Sequence, residues 1–181
     1  VSVPGDDVLA TADLSLERDT DYAFYTFGYQ PDITPVLMQE ESVTEDEDAV
    51  PPIEGVTEFR FLQGASTAGP VDIYINRPAE ADSLEPEVTD LEPVFPGVDY
   101  LDYTETVTYE VSRDPQSEIG NNLHVRLTAA GDTTVVYDEE LAFNPAVMQH
   151  IIIFDMDRNG EDDILDIRLG RKNGDATLVE I

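Results

Sequence analysis

The chain has 181 residues, with 40 Asp and Glu against 9 Lys and Arg and a formal net charge of −31. A surface of that sign repels DNA, RNA and anionic lipid headgroups, which excludes nucleic acid as a partner. Cysteine is absent, excluding thiolate catalysis, disulfides and Cys-based zinc sites, and no stretch reaches membrane-spanning length, so no membrane insertion by this segment is expected.

The apolar fraction, 41%, is sufficient for a core, and the length suits one large or two small domains. Lys172 is the sole lysine. Such an acid-rich, lysine-poor chain attracts cations, tolerates salt and resists association at low salt. It points to a halophilic or marine exported protein and to a monomer, with ordinary acidic solubility as the plainer alternative.

Taken in chain order, Val1 opens into VSVPGDDVLATADLSL, without the basic and apolar regions of a signal peptide. Either a leader removed earlier or an upstream stretch of chain is expected. Residues 1–28 share a pattern with 125–155: a strand, a Gly-Asp turn, a second strand, a paired apolar motif and a last apolar strand. Leu14 and Leu16 correspond to Leu141 and Phe143, and Phe24 and Thr26 to Ile151 and Ile153. Residues 1–50 therefore read as the C-terminal half of one unit plus an acidic linker, and 51–181 as a complete unit. The linker reading rests on QEESVTEDEDAVPPIEG (39–55), with its acidic run and Pro51-Pro52; a long loop inside one domain is the alternative.

In VTEFRFLQGASTAGPVDIYIN (56–76), Phe59 and Phe61 alternate with Glu58 and Arg60, and Val71, Ile73 and Ile75 with Asp72, Tyr74 and Asn76. A period of two predicts a sheet with one buried and one wet face. Strands are expected at 56–63, 70–76, 98–103, 105–112, 122–129, 133–138, 140–143, 149–154, 164–169 and 175–180. Pro78, Pro86, Pro93 and Pro96 make 77–97 a connection, Ala130-Gly131-Asp132 marks a turn, and Asn173-Gly174 suits a type I′ hairpin. No amphipathic helix emerges. The expected fold is all-β, an antiparallel immunoglobulin-like sandwich in tandem units, the first one partial. Phe59, Phe61, Val71, Ile73, Ile75, Val125 and Leu127 are expected to point inward.

The motifs FRFLQGAST and PVDIYIN resemble the "hRhhHASP" and "PAVDVYV" signature of the bacterial DUF4397 family. VFPGVDYLDYTETVTYEVSR (94–113) and LHVRLTAAGDTTVVYDEEL (123–141) resemble its later strands. TDYAFYTFGYQPDITPVLMQEE resembles the tail of a second copy, and tandem copies are typical of the family. The resemblance implies an exported β-sandwich without an established activity. The histidine of "HASP" is replaced by Gln63, so no role of that histidine carries over.

DMDRNGEDDILD (155–166) carries the spacing of a calcium loop. Asp155, Asp157, Asn159 and Gly160 fit positions 1, 3, 5 and 6, the Glu161 carbonyl position 7, and Asp163 position 9. Asp166 replaces the bidentate Glu of an EF-hand, and the flanks HIIIF and ILDIRL read as strands. The β-flanked loop D-x-D/N-x-D/N-G-x-x-D of FG-GAP-like repeats is the better comparison. Alternate oxygen side chains on a tight turn converge on Ca²⁺, which takes about six to eight such ligands; an acidic solvated turn is the plain alternative.

The remaining candidates point to structure. His124 lies on the polar face of LHVRL, His150 precedes an apolar strand, and neither has a nucleophile nearby. Ser66 in GASTAG lacks the G-x-S-x-G elbow. Tyr100, Tyr103 and Tyr109 with Phe95 form either a sugar-stacking face or core, core being favoured. The sequence therefore points to a non-enzymatic structural or binding module of the periplasm, cell surface or extracellular space, with an unknown protein or glycan ligand and calcium as a possible cofactor. A carbohydrate- or peptide-binding module and a carboxylate-based hydrolase are the alternatives.

Overall fold

The computed structural model of the chain describes residues 14–18, 20–28, 33–40, 52–79, 84–145, 148–158 and 161–171; at 21, 40, 155–158 and 161–171 only the backbone is described. The chain divides into two compact units, Val1–Val50 and Pro51–Ile181.

The first unit holds an antiparallel hairpin of β1 (Asp21–Phe27) and β2 (Thr34–Glu40), in register from Asp21 with Glu40 to Phe27 with Thr34. Aromatic and β-branched residues favour the extended chain. Both strands are edges of a two-stranded sheet, where a proline such as Pro35 is tolerated. Phe27 and Met38 are buried, while Leu14, Leu16 and Phe24 stay 46%, 61% and 45% exposed. The sequence pattern aligns Phe24 and Thr26 with Ile151 and Ile153. Burial instead favours the opposite face of β1, the one carrying Tyr25 and Phe27, whose rings lie 6.4 Å apart.

The second unit is an all-β sandwich of packed sheets, as expected. Its strands are β3 (Glu54–Gln63), β4 (Val71–Asn76), β5 (Phe95–Val98), β6 (Val107–Ser112), β7 (Asn122–Ala129), β8 (Val135–Ala142), β9 (Met148–Arg158) and β10 (Glu161–Arg171). One sheet has the order β10-β9-β3-β6, the other β5-β4-β7-β8. Every pair is antiparallel except β3 with β9, which run parallel from Glu58 beside Met148 to Gln63 beside Ile153.

Alternation fills the space between the sheets. All seven residues expected inward are buried, joined by Val111, Leu123, Leu141, Phe143, Ile151 and Ile153. Phe59 sits at the centre. Its ring stacks on Phe143 at 4.7 Å and Tyr109 at 5.7 Å, and meets Phe61 edge-on at 5.9 Å.

Several elements depart from the sequence reading. The second faces of β3 and β4 are not wet: Arg60, Leu62, Asp72 and Tyr74 are buried too. Arg60 donates to Thr106 Oγ1 at 3.0 Å and lies over the Tyr103 ring, so the loop before β6 covers it. The expected 98–103 strand is a corner between sheets. β5 ends at Val98; the Asp102 amide then donates to the Asp99 carbonyl, Leu101 takes φ 68°, and Tyr103 bridges to Leu62 in the other sheet. The 133–138 and 140–143 strands are one strand, β8, paired without interruption from Ala142 to Tyr137. The Ala130-Gly131-Asp132 turn falls where expected, its Asp132 carboxylate accepting the Thr133 and Thr134 amides. Of the proposed linker, Gln39 and Glu40 close β2 and Glu54 and Gly55 open β3. Residues 41–51, Asn173-Gly174 and the 175–180 strand lie outside the described residues.

Truncating Phe59 to Ala removes a ring that joins both sheets. It is expected to lower stability by about 3–5 kcal/mol, whereas Val136→Ala on the exposed edge strand shifts it by about 0.5 kcal/mol or less. Urea titration of both variants is the measurement.

Candidate functional site

The polar chemistry of the described residues gathers on the outer face of the β5-β4-β7-β8 sheet. Strand alternation turns Asp72, Tyr74 and Asn76 of β4, and His124, Arg126 and Thr128 of β7, away from the core, in register as Asp72–Thr128, Tyr74–Arg126 and Asn76–His124. At one end Asp72 is a buried clamp. Its Oδ1 accepts the Gly97 amide at 2.7 Å and its Oδ2 the Gly131 amide at 2.8 Å. Gly97 has φ +60° and Gly131 φ +76°, with nothing within 4 Å of an added Cβ at either. Backbone conformation, not space, therefore calls for glycine there.

At the other end the β4–β5 connection crosses this face. Arg126, itself buried, donates to the Pro86 carbonyl at 2.7 Å and to Asn76 Oδ1 at 2.6 Å. Val88, opening a single 3-10 turn (Val88–Asp90), is buried. Glu85 is held by three groups: the Ala79 amide at 2.7 Å, Asn76 Nδ2 at 2.7 Å and His124 Nδ1 at 2.7 Å. The other His124 nitrogen, Nε2, meets Asp138 Oδ1 of β8.

Burial opposes charge on Glu85, but hydrogen bonds from His124, the Ala79 amide and Asn76 outweigh it and hold the carboxyl down at about 2. Burial likewise opposes a proton on His124, yet the Glu85 and Asp138 carboxylates raise the imidazole above its ordinary value.

Of the two histidines, His124 lies on the polar face as expected, while His150 is buried in β9 opposite Arg60. Gln63, at the position of the "HASP" histidine, closes the following loop: its Oε1 accepts the Ala65 amide at 2.8 Å and its Nε2 donates to the Gly69 carbonyl at 2.9 Å. Ser66 is exposed within that loop. The aromatic quartet does not form one platform. Phe95 and Tyr109 pack on the core from opposite sheets, and Tyr103 is 47% exposed beside Arg60.

The sequence-based metal residues fall in the β9–β10 hairpin. Arg158 pairs with Glu161, and the register shifts between Glu161 and Ile164, placing Asp163 in an irregular step of the ladder. The side chains of Asp155, Asp157, Glu161 and Asp163, and the whole of Asn159, lie outside the described residues. Among the described residues, no three His, Asp or Glu side chains are grouped to hold a metal ion, and no helix is long and apolar enough to cross a membrane.

No protein-family model matches the chain, and neither a curated protein nor a solved structure matches it.

Sequence reasoning passed over Asp72, Glu85, Arg126 and Asp138. Gly131 lies in the expected Ala130-Gly131-Asp132 turn, but nothing in sequence links it or Gly97 to Asp72. Replacing Asp72 with Ala strips a partner from two loop amides and is expected to cost about 1.5–3 kcal/mol. Hydrogen exchange of the Gly97 and Gly131 amides should quicken in the same variant. The acid limb is a second expectation. The folded carboxyl of Glu85, at about 2, lies below its ordinary 4.5, so its stabilisation is complete above about pH 4.5 and lost as pH falls toward about 2. Glu85→Gln should flatten that limb in acid-unfolding curves.

Proposed function

We propose that the chain is a non-catalytic, exported structural or binding module of DUF4397 type, working in the periplasm, at the cell surface or outside the cell, with a protein or glycan as ligand. The observation that carries this reading is how its signature residues are used. The polar atoms of Gln63 and Asp72, one in each half of the signature, are taken up by backbone groups of loops. A side chain engaged in that way, and buried, serves the shape of the domain. The hydrolase alternative is disfavoured where two carboxylates flank His124. An imidazole lies between Glu85 and Asp138, in the space a scissile bond would need. The carbohydrate-binding alternative loses support because Phe95 and Tyr109 pack on the core.

Within this reading, residues 1–50 belong to a like unit, since an antiparallel hairpin occurs in each, β1 with β2 and β9 with β10. The β9–β10 hairpin is the proposed calcium site, with Asp155, Asp157, Asn159, Asp163 and the Glu161 carbonyl as ligands. Supporting it is the two-residue separation of the strands at Arg158 and Glu161, which brings both acidic segments to one hairpin end. Calcium bound there would neutralise crowded carboxylates and stabilise the native state by mass action, about 2.7 kcal/mol at a hundredfold excess over the dissociation constant.

Calorimetric titration of metal-stripped protein should show heat of Ca²⁺ binding, with a matching rise in melting temperature that Asp157→Ala abolishes. Absence of both signals removes calcium from the proposal. A glycan array probed with the whole chain tests the ligand class separately; turnover of a glycan in place of retention would favour the hydrolase.

A further inference from the structure

Glu85 and Asp138 approach His124 at its two different ring nitrogens. Ionised carboxylates accept hydrogen bonds and donate none, so each nitrogen must carry a hydrogen. Only the imidazolium meets that demand. A neutral ring has one N–H and turns a lone pair toward whichever carboxylate it cannot serve.

We propose that His124 is a pH-operated latch, fastening residues 84–91 to the outer face of the β5-β4-β7-β8 sheet while charged and loosening them when neutral. The geometry is that of a clasp. Asp138 belongs to β8, His124 to β7 and Glu85 to the crossing connection, so one ring joins two strands of the sheet to the chain above it. Other fasteners do not pass through the imidazole: Arg126 on the Pro86 carbonyl, Asn76 on Glu85, and the Ala79 amide on Glu85. Loss of the proton therefore loosens the connection without freeing it.

The surrounding charges favour the locked form. From β8 come Asp138 and, as the cross-strand neighbour of His124, Glu140, which itself bonds Asn122. From the connection comes Glu85, with Glu87 two residues on. On β7, Arg126 opposes the proton. On the β4 side, Tyr74 pairs with Arg126, and Arg77 reaches instead to the Ile119 and Glu110 carbonyls. The carboxylates prevail, so the folded imidazole titrates above its ordinary 6.5. A group raised on folding stabilises fully below its unfolded value and ceases to do so as pH climbs through the folded one. The latch is closed below the ordinary imidazole value and opens as pH rises through the raised, folded one.

Tyr74 and Arg126, paired across this face, are both buried, and Arg126 holds the Pro86 carbonyl where the connection crosses. Loosening would wet that part of the sheet, so the device couples pH to the exposure of one sheet face.

The test is NMR on the whole chain. Its two histidines give two ring signals, and His124→Gln assigns them. The His124 signal should titrate above about 6.5. Protection factors of the Ala79, Asp90 and Leu91 amides, corrected for intrinsic exchange, should fall about tenfold or more as pH is raised through the His124 midpoint found in the same titration, because the proton that fastens the connection is lost there. Val125 and Ile73 should hold theirs, and His124→Gln should remove the pH dependence. Should that variant not fold, Glu85→Gln replaces it and should lower the His124 titration toward the ordinary value. A His124 titration at or below 6.5, protection that is flat with pH in the unmodified chain, or a titration indifferent to Glu85→Gln overturns the latch.

Discussion

The stack of aromatic rings around Phe59 is the contact on which the larger unit depends. Two sheets of a sandwich share no hydrogen bonds, so only side-chain burial holds them face to face. Phe59 lies on β3, Tyr109 on β6 of the same sheet, and Phe143 directly after β8 of the other. Ring separations of 4.7 Å and 5.7 Å fall in the range where aromatic pairs add to plain area burial. The second link is Phe61, which meets Phe95 of β5 edge-on at 6.1 Å. The two phenylalanines of one short alternating motif thus tie β3 to both ends of the facing sheet.

Around that core, polar side chains are used chiefly on loop backbone. Gln63 closes the 64–69 loop, Asp72 joins β5 to the β7–β8 turn, Asp132 shapes that turn, and Arg126 and Glu85 hold the β4–β5 connection. This arrangement suits acidic residues in a chain with so few cations. A carboxylate that cannot find Lys or Arg is stabilised as well by two backbone N–H groups, and such charge-assisted bonds are stronger than neutral ones.

The sequence was a good guide wherever period two governed. Phe59, Phe61, Val71, Ile73, Ile75, Val125 and Leu127 all face the core because alternation leaves them one way to be buried together. It misled where a second layer intervened. Nothing in DIYIN says that Tyr74 is buried on the outer face, which another stretch of chain crosses where its neighbour Arg126 holds the Pro86 carbonyl. The corner at 99–102 was hidden for a different reason: Leu101 adopts φ 68° without being glycine. The fusion of β8 was obscured by its run Asp138-Glu139-Glu140, which reads as a break although an edge strand in water tolerates it. For the polar network, His124 was visible but its partners were not, since Glu85 and Asp138 come to it only through folding.

The parallel pairing of β3 with β9 has a consequence for how the unit is made. Among its described strands β3 is the first and β9 the next to last, yet they lie side by side, Phe59 beside Gln149. A nascent chain emerging N-terminus first can zip β4 onto β7 and β7 onto β8 while β3 still lacks one neighbour. Closing so long a loop is entropically late, and topologies dominated by such distant pairings fold slowly. Until β9 arrives, half of β3 offers open amides and carbonyls to any extended segment nearby. The acidic character of the chain then acts as a guard during synthesis, because mutual repulsion keeps incomplete copies from pairing through that vacant edge.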